Sequence, residues 1–214
     1  MKQLVFYFDF ISPYAWMAFA RLPVMLEGHS YSVTYKPVVL GAVLSHHGQL
    51  GPAEIPVKRD WTYRQTLWLG HSLGVELQFP ARHPFNPLAL LRLAVACSAN
   101  GLPNRYVTEQ LFRHVWCSGA DAVDPQRLTD LTELLAPARD PQSSAVKTEL
   151  RSHTDDALAK GLFGVPTMEV DGRLFWGLDA LPMLRAYLDG DGWFASGAWD
   201  AVGAIPAGVS RKRD

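Results

Sequence analysis

The chain has 214 residues, 48% of them hydrophobic, with 20 basic and 21 acidic side chains and a formal charge of −1. That size and apolar content predict a substantial core, in one domain or in one domain with a large insertion, and exclude a disordered chain. The near-zero charge offers no electrostatic basis for binding nucleic acid or an anionic membrane, and no apolar run approaches the roughly 20 residues needed to span a bilayer.

Residues 3–8 are rich in β-formers and predict a strand, residues 13–27 a helix, and the alternating residues 31–36 a second strand. Met1-Lys2-Gln3 runs straight into the first strand without a charged and cleavable leader, so a non-secreted protein is expected. The next hundred residues are mostly helical in pattern. Leu88, Leu91 and Val95 recur at helical spacing, as do Val107, Leu111 and Val115. Asp124-Pro125 is an N-cap and first-turn signature ahead of Leu128, Leu131 and Leu135, and residues 144–160 form another amphipathic candidate. Residues 167–170 and 173–176 predict two strands joined by an Asp171-Gly172 hairpin turn, and Asp179 is placed to cap a last helix over residues 180–188. The Gly/Ala-rich stretch that follows, ending Arg211-Lys212-Arg213-Asp214, is expected to be a loosely held tail with too few basic residues to imply a partner.

The expected fold is therefore α/β and thioredoxin-like, βαβ…ββα, with a large all-helical insertion. Its predicted parts are a discontinuous domain of residues 1–52 and 161–190, a helical insertion over 53–160 and a tail over 191–214. Thioredoxin-type folds carry C-x-x-C at the first strand–helix turn, but here Ser12-Pro13-Tyr14-Ala15 stands there. Disulfide exchange is thereby excluded at that turn. Cys97 and Cys117 match no zinc or redox spacing and are expected to be free thiols. His46-His47 has no third ligand to make a metal site.

Ser12 has two readings. Serine before proline is a plain helix start, and a hydroxyl at the positive end of a helix can also hydrogen-bond a bound thiolate. Gly164-Val165-Pro166-Thr167 adds weight to the second, because a cis proline before the third strand is the other thioredoxin feature. Such an edge can pair in β-fashion with an extended peptide, and a thiol tripeptide such as glutathione would then bring its own sulfur to Ser12.

"YFDFISPYAW", "HPFNPLALLR", "FRHVW" and "GVPTMEVDGRLFWGLDAL" together resemble the 2-hydroxychromene-2-carboxylate isomerases, relatives of the kappa-class glutathione transferases in the thioredoxin superfamily. The resemblance runs from about residue 3 to residue 188. It implies a cytoplasmic enzyme using glutathione as cofactor on a small aromatic substrate. It places Ser12 at the glutathione sulfur, the Val165 backbone beside Pro166 against the glutathione cysteine, Asp179 at the γ-glutamyl end, and Lys58 as the lysine that relatives carry after the second strand. Asn86 matches a family asparagine, and Lys58 and Asn86 are candidates for the substrate carboxylate. Tyr14, Trp61, Phe85 and Trp116 are candidates for an apolar wall. Leu178 replaces an often polar neighbour of Asp179, and Gln65 and Trp68 stand where relatives carry an Asp-x-x-Arg pair. Relatives are commonly homodimers, though nothing in the sequence marks an interface.

The implied reaction interconverts 2-hydroxychromene-2-carboxylate and trans-o-hydroxybenzylidenepyruvate, a step in naphthalene catabolism. A thiolate adds to the conjugated double bond, the resulting single bond rotates, and expulsion of the thiolate restores the double bond in the other geometry. The alternatives are a kappa-like transferase that releases the adduct and a non-catalytic thioredoxin-like scaffold.

Overall fold

The computed structural model describes residues 1–206, 208 and 209. β1 (Lys2–Phe8) has apolar side chains on both faces. Leu4, Phe6 and Phe8 join the main core with Phe19 of α1 (Pro13–Met25), while Tyr7 belongs to a second cluster with Val38, Val43, Ala157 and Leu162. A strand covered on both faces reads as a near-continuous apolar run, which is how residues 4–8 look. β2 (Tyr31–Pro37) lies parallel to β1, with Val33 opposite Leu4. β3 (Thr167–Val170) and β4 (Arg173–Trp176) are antiparallel additions that complete a sheet of order β2-β1-β3-β4. Asp171 and Gly172 have φ of 50° and 77°, the positive pair that a two-residue Asp-Gly hairpin requires. The βαβ and ββα halves are both present, so the chain has the thioredoxin-like fold.

Between the halves run α2 (Leu40–His46), α3 (Pro56–Leu73), α4 (Leu88–Ala96), α5 (Arg105–Trp116), α6 (Pro125–Leu135) and α7 (Ser144–Ala159). The last four fall where apolar spacing predicts them. The Asp124 side chain accepts the Arg127 N–H to cap α6, with Pro125 in the first turn. α2 is not foreseen by the sequence. α3, at 18 residues, buries only Thr66 and Gly70 and so shows little apolar stripe. No helix among the described residues is long and apolar enough to cross a membrane.

Sheet and insertion share one core. The Phe112 ring of α5 lies 4.9 Å from Phe10 and 5.4 Å from Phe8, and the Trp116 indole donates to the Phe10 carbonyl at 2.9 Å. Two expectations at the C-terminus need correction. Asp179 does not cap α8 (Leu181–Leu188); it sits in the short 3₁₀ turn Leu178–Ala180, and Ala180 occupies the N-cap without a side-chain bond. The stretch after α8 is not loose at its start, because Phe194 is buried against Phe175 and Tyr187 and the Trp199 ring lies 5.5 Å from Phe175. Its aromatic side chains cover Phe175 of β4 and bury apolar surface that would otherwise meet water. Residues 211–214, with the three basic side chains, lie outside the described residues.

Candidate active site

The turn from β1 into α1 is built by Asp9 and Ser12. Asp9 is fully buried; its Oδ1 accepts the Ile11 N–H at 3.1 Å and its Oδ2 the Leu40 N–H at 2.9 Å. One carboxyl thus ties the turn to the start of α2. Burial pushes Asp9 up to about 7, even though the backbone N–H groups around it favour its charged form.

Ser12 is 6% exposed and is the N-cap of α1, its Oγ accepting the Ala15 N–H at 3.2 Å. That bond uses an oxygen lone pair and leaves the hydroxyl hydrogen available. Among the described residues that hydrogen has no acceptor, and the Tyr14 N–H, an orphan donor of the first helical turn, has none either. Two donors therefore stand at the positive end of a helix, where an anion is stabilised.

Ser12 opens on a cavity of about 1150 Å³. Its lining also includes Val165 and Pro166, joined by a cis peptide bond. Neither the N–H nor the C=O of Val165 is taken up by another group among the described residues, whereas the Pro166 carbonyl accepts from Gly177 N at 2.9 Å. A Cβ at Gly164 would come to 2.5 Å from the Trp176 indole nitrogen, so a larger residue there would have to displace that half-exposed ring.

Of the residues singled out by the sequence, Ser12, Tyr14, Phe85, Asn86, Val165, Pro166 and Asp179 all line this cavity. The Tyr14 hydroxyl donates to Gln65 Oε1 at 2.9 Å, so the glutamine at the departure from the family pattern holds the tyrosine that faces it. Asn86 Oδ1 accepts the Leu88 N–H at 3.0 Å, combining a place in the wall with a bond at the start of α4. Three of the singled-out residues are not brought to the cavity. Trp116 is wholly buried in the core, where its bulk packs against Phe79 and its N–H is satisfied by Phe10. Lys58 and Trp61 are exposed on the outer side of α3, Trp61 at 64%, and neither lines the cavity. The part of α3 that does so is Thr62, Tyr63, Gln65, Leu69 and Leu73, all but Tyr63 recurring at helical spacing.

Sequence reasoning missed Asp9, Arg21 and the pair Tyr63–His83. His83 Nε2 lies 2.9 Å from the Ile11 carbonyl, which can only accept, so Nε2 carries the proton. The Tyr63 hydroxyl lies 2.6 Å from Nδ1. Burial lowers the His83 pKa, which favours that neutral form. The residue thus braces the backbone immediately before Ser12. Its signal was in view as the first letter of "HPFNPLALLR".

A model of the DSBA-like thioredoxin domain matches residues 3–189. The chain belongs to that family. Among similar proteins, a 2-hydroxychromene-2-carboxylate isomerase of Sphingobium xenophagum is 28% identical over 195 residues, covering 87% of this chain and 98% of that protein. A glutathione S-transferase kappa 2 of Caenorhabditis elegans is 24% identical over 210 residues, covering 87% and 92%. A solved 2-hydroxychromene-2-carboxylate isomerase matches with a TM-score of 0.74 at 24% identity, over 94% of this chain and 98% of that one, a likeness of fold. The resemblance read from the four sequence segments is thus borne out. This DSBA-like thioredoxin chain has no cysteine at its first turn. Cys97 and Cys117 are unpaired and outside the cavity, and burial pushes both thiols up to about 11, which leaves them poor nucleophiles.

Proposed function

We propose that the protein is a glutathione-dependent isomerase that interconverts 2-hydroxychromene-2-carboxylate and trans-o-hydroxybenzylidenepyruvate. The observation that carries this reading is Ser12, which caps α1 with its lone pair and keeps a free O–H donor in the lining of the cavity. The similar proteins named as 2-hydroxychromene-2-carboxylate isomerases support the reaction, and those named as kappa glutathione transferases support glutathione as the cofactor.

The residues fit the tripeptide. The unpaired N–H and C=O of Val165 suit a β-type pairing with its cysteinyl unit, and Asp179 suits an ammonium at its γ-glutamyl end. The cavity, at about 1150 Å³, exceeds the ~300–1,000 Å³ usual for one small molecule and so has room for a peptide and an aromatic acid together. Bound glutathione would supply a thiolate for reversible addition to the conjugated double bond. The protein's part is to hold that charge: Ser12 donates its hydroxyl hydrogen, the Tyr14 N–H adds a second donor, and the helix end favours the anion. Serine suits this place because it donates without a sulfur that could trap the cofactor as a mixed disulfide. Tyr14, fixed by Gln65, and Phe85 form an aromatic side to the cavity, and the Asn86 amide is a polar donor for the substrate carboxylate.

A kappa-like transferase would use the same sulfur site. Incubating protein, glutathione and 2-hydroxychromene-2-carboxylate separates the two. Conversion to a product of unchanged mass, absent without glutathione, is expected; a stable adduct would assign the transferase, and no glutathione-dependent turnover of either kind would leave only a scaffold.

A further inference from the structure

Gln65 reaches the cavity from α3, which packs on α1, and meets the Tyr14 hydroxyl there at 2.9 Å. A tyrosine hydroxyl has one hydrogen to donate, and here it goes to Gln65 Oε1. That bond turns the amide oxygen toward Tyr14 and leaves the hydrogens of Nε2 without an acceptor among the described residues. Tyr14 follows Ser12 in the first turn of α1, so the amide is tied to the same turn that holds the sulfur site. Two other polar side chains of the lining are already spent, the Tyr63 hydroxyl on His83 Nδ1 and the His83 Nε2–H on the Ile11 carbonyl. Apart from Arg21, farther along α1, the side-chain donors among the described lining residues are uncharged, and Asp9, Glu54 and Asp179 supply acids. An electrophile is therefore not drawn in by negative charge.

We propose that the Gln65 amide donates to the carbonyl oxygen conjugated with the reacting double bond, and that the protein therefore also isomerises uncharged aryl enones, which carry the ketone but no carboxylate. The assignment rests on the glutathione reading and deepens it by naming the class of electrophile. When the thiolate forms its bond to the benzylic carbon, the π pair of the double bond moves to the carbonyl oxygen as an enolate. The former double bond, now single, rotates. The enolate pair then re-forms the double bond, the carbon–sulfur bond breaks and the thiolate leaves, so no atom is gained or lost. Negative charge thus passes from the sulfur held by Ser12 to an oxygen roughly 3–4 Å from the attacked carbon. An amide N–H held there is a preorganised donor to charge that appears only during the reaction. The ketone oxygen, and not the carboxylate, receives that charge, so an enone with methyl in place of the carboxylate undergoes the same cycle. What it forgoes is the contact to the neutral Asn86 amide, one charge-assisted hydrogen bond.

Steady-state assays on the full chain with glutathione compare 2-hydroxychromene-2-carboxylate with the ring-closed cis form of o-hydroxybenzylideneacetone, in which methyl replaces the carboxylate. Formation of trans-o-hydroxybenzylideneacetone above the rate with glutathione alone is expected, at a kcat/KM below that of the carboxylate by roughly 10- to 100-fold. Gln65→Leu should lower kcat/KM for both substrates by roughly 10- to 100-fold, while calorimetry shows glutathione bound as by the parent. Gln65→Glu still accepts the Tyr14 hydroxyl but has no hydrogen to donate, so it should be no more active than Gln65→Leu. Recovery of activity in Gln65→Glu would make Gln65 a brace for Tyr14 and overturn the proposal. Turnover of the carboxylate without the ketone overturns it as well, as does an undiminished kcat/KM in Gln65→Leu or a loss confined to glutathione affinity. If the parent turns over neither substrate with glutathione, the functional reading itself fails and the proposal with it.

Discussion

Ser12→Ala separates the two jobs of one hydroxyl. As a cap, Ser12 accepts the Ala15 N–H at 3.2 Å, and losing that bond costs about 1 kcal/mol, or roughly 2–4 °C in Tm for a chain of this size. As a donor to the bound thiolate, it contributes a charge-assisted hydrogen bond of about 1.5–3 kcal/mol. At 1.36 kcal/mol per pKa unit, its removal raises the pKa of bound glutathione by about 1–2. The Tyr14 N–H and the helix end remain, so the thiol does not return fully to its free value of ~8.5. A thiolate absorbance titration of the complex reads the pKa, and thermal unfolding reads the cap. Ser12→Thr keeps both bonds and should leave the bound thiol close to its original pKa. A Tm loss with no change in that pKa would refute the donor role and leave Ser12 a helix cap alone.

Trp116→Phe should destabilise the fold by about 2–4 kcal/mol, because it opens a core void and strands the Phe10 carbonyl. Denaturant unfolding checks this, and glutathione affinity should stay unchanged since Trp116 lies outside the cavity. Lys58→Ala and Trp61→Ala should likewise leave affinity unaltered, and a tenfold loss in either would mean that α3 turns its outer face to the ligand. Asp9 predicts a pH effect of definite sign. Its carboxyl is held up at about 7 in the folded chain against ~3.9 unfolded. Its stabilising contribution is therefore complete below ~3.9 and is lost as pH rises through about 7. His83, His114 and His153, all lowered by burial, act in the opposite direction. Because they are common to both proteins, the difference in stability between Asp9→Asn and the parent isolates the carboxyl, and parallel curves between pH 4 and 7 would contradict its assignment.

Local chemistry made much of this protein legible in its sequence. Alternation and β-branching marked the strands, Asp171-Gly172 marked the hairpin, Ser12-Pro13 and Asp124-Pro125 marked helix starts, and the absence of sulfur from residues 12–15 excluded disulfide exchange. Each of these signals acts within a few residues of chain, where backbone preference and capping are decided. α3 escaped because its exposed Val57, Trp61 and Trp68 mimic an apolar face while its buried residues are Thr66 and Gly70.

Tertiary structure alone decided which side chains share the cavity. Lys58 and Arg21 are both basic residues on helices, and Trp116 and Phe85 are both aromatic, yet only the second of each pair lines the site. Whether a side chain faces solvent, core or cavity depends on which surfaces from distant parts of the chain meet it. No window of sequence around Arg21 contains the Leu178–Ala180 turn that packs on its helix. The same holds for His83, whose bond to the Ile11 carbonyl spans 72 positions. Short-range preference set the elements, and the long-range packing of α1 against α3 and that 3₁₀ turn selected the side chains that face the cavity.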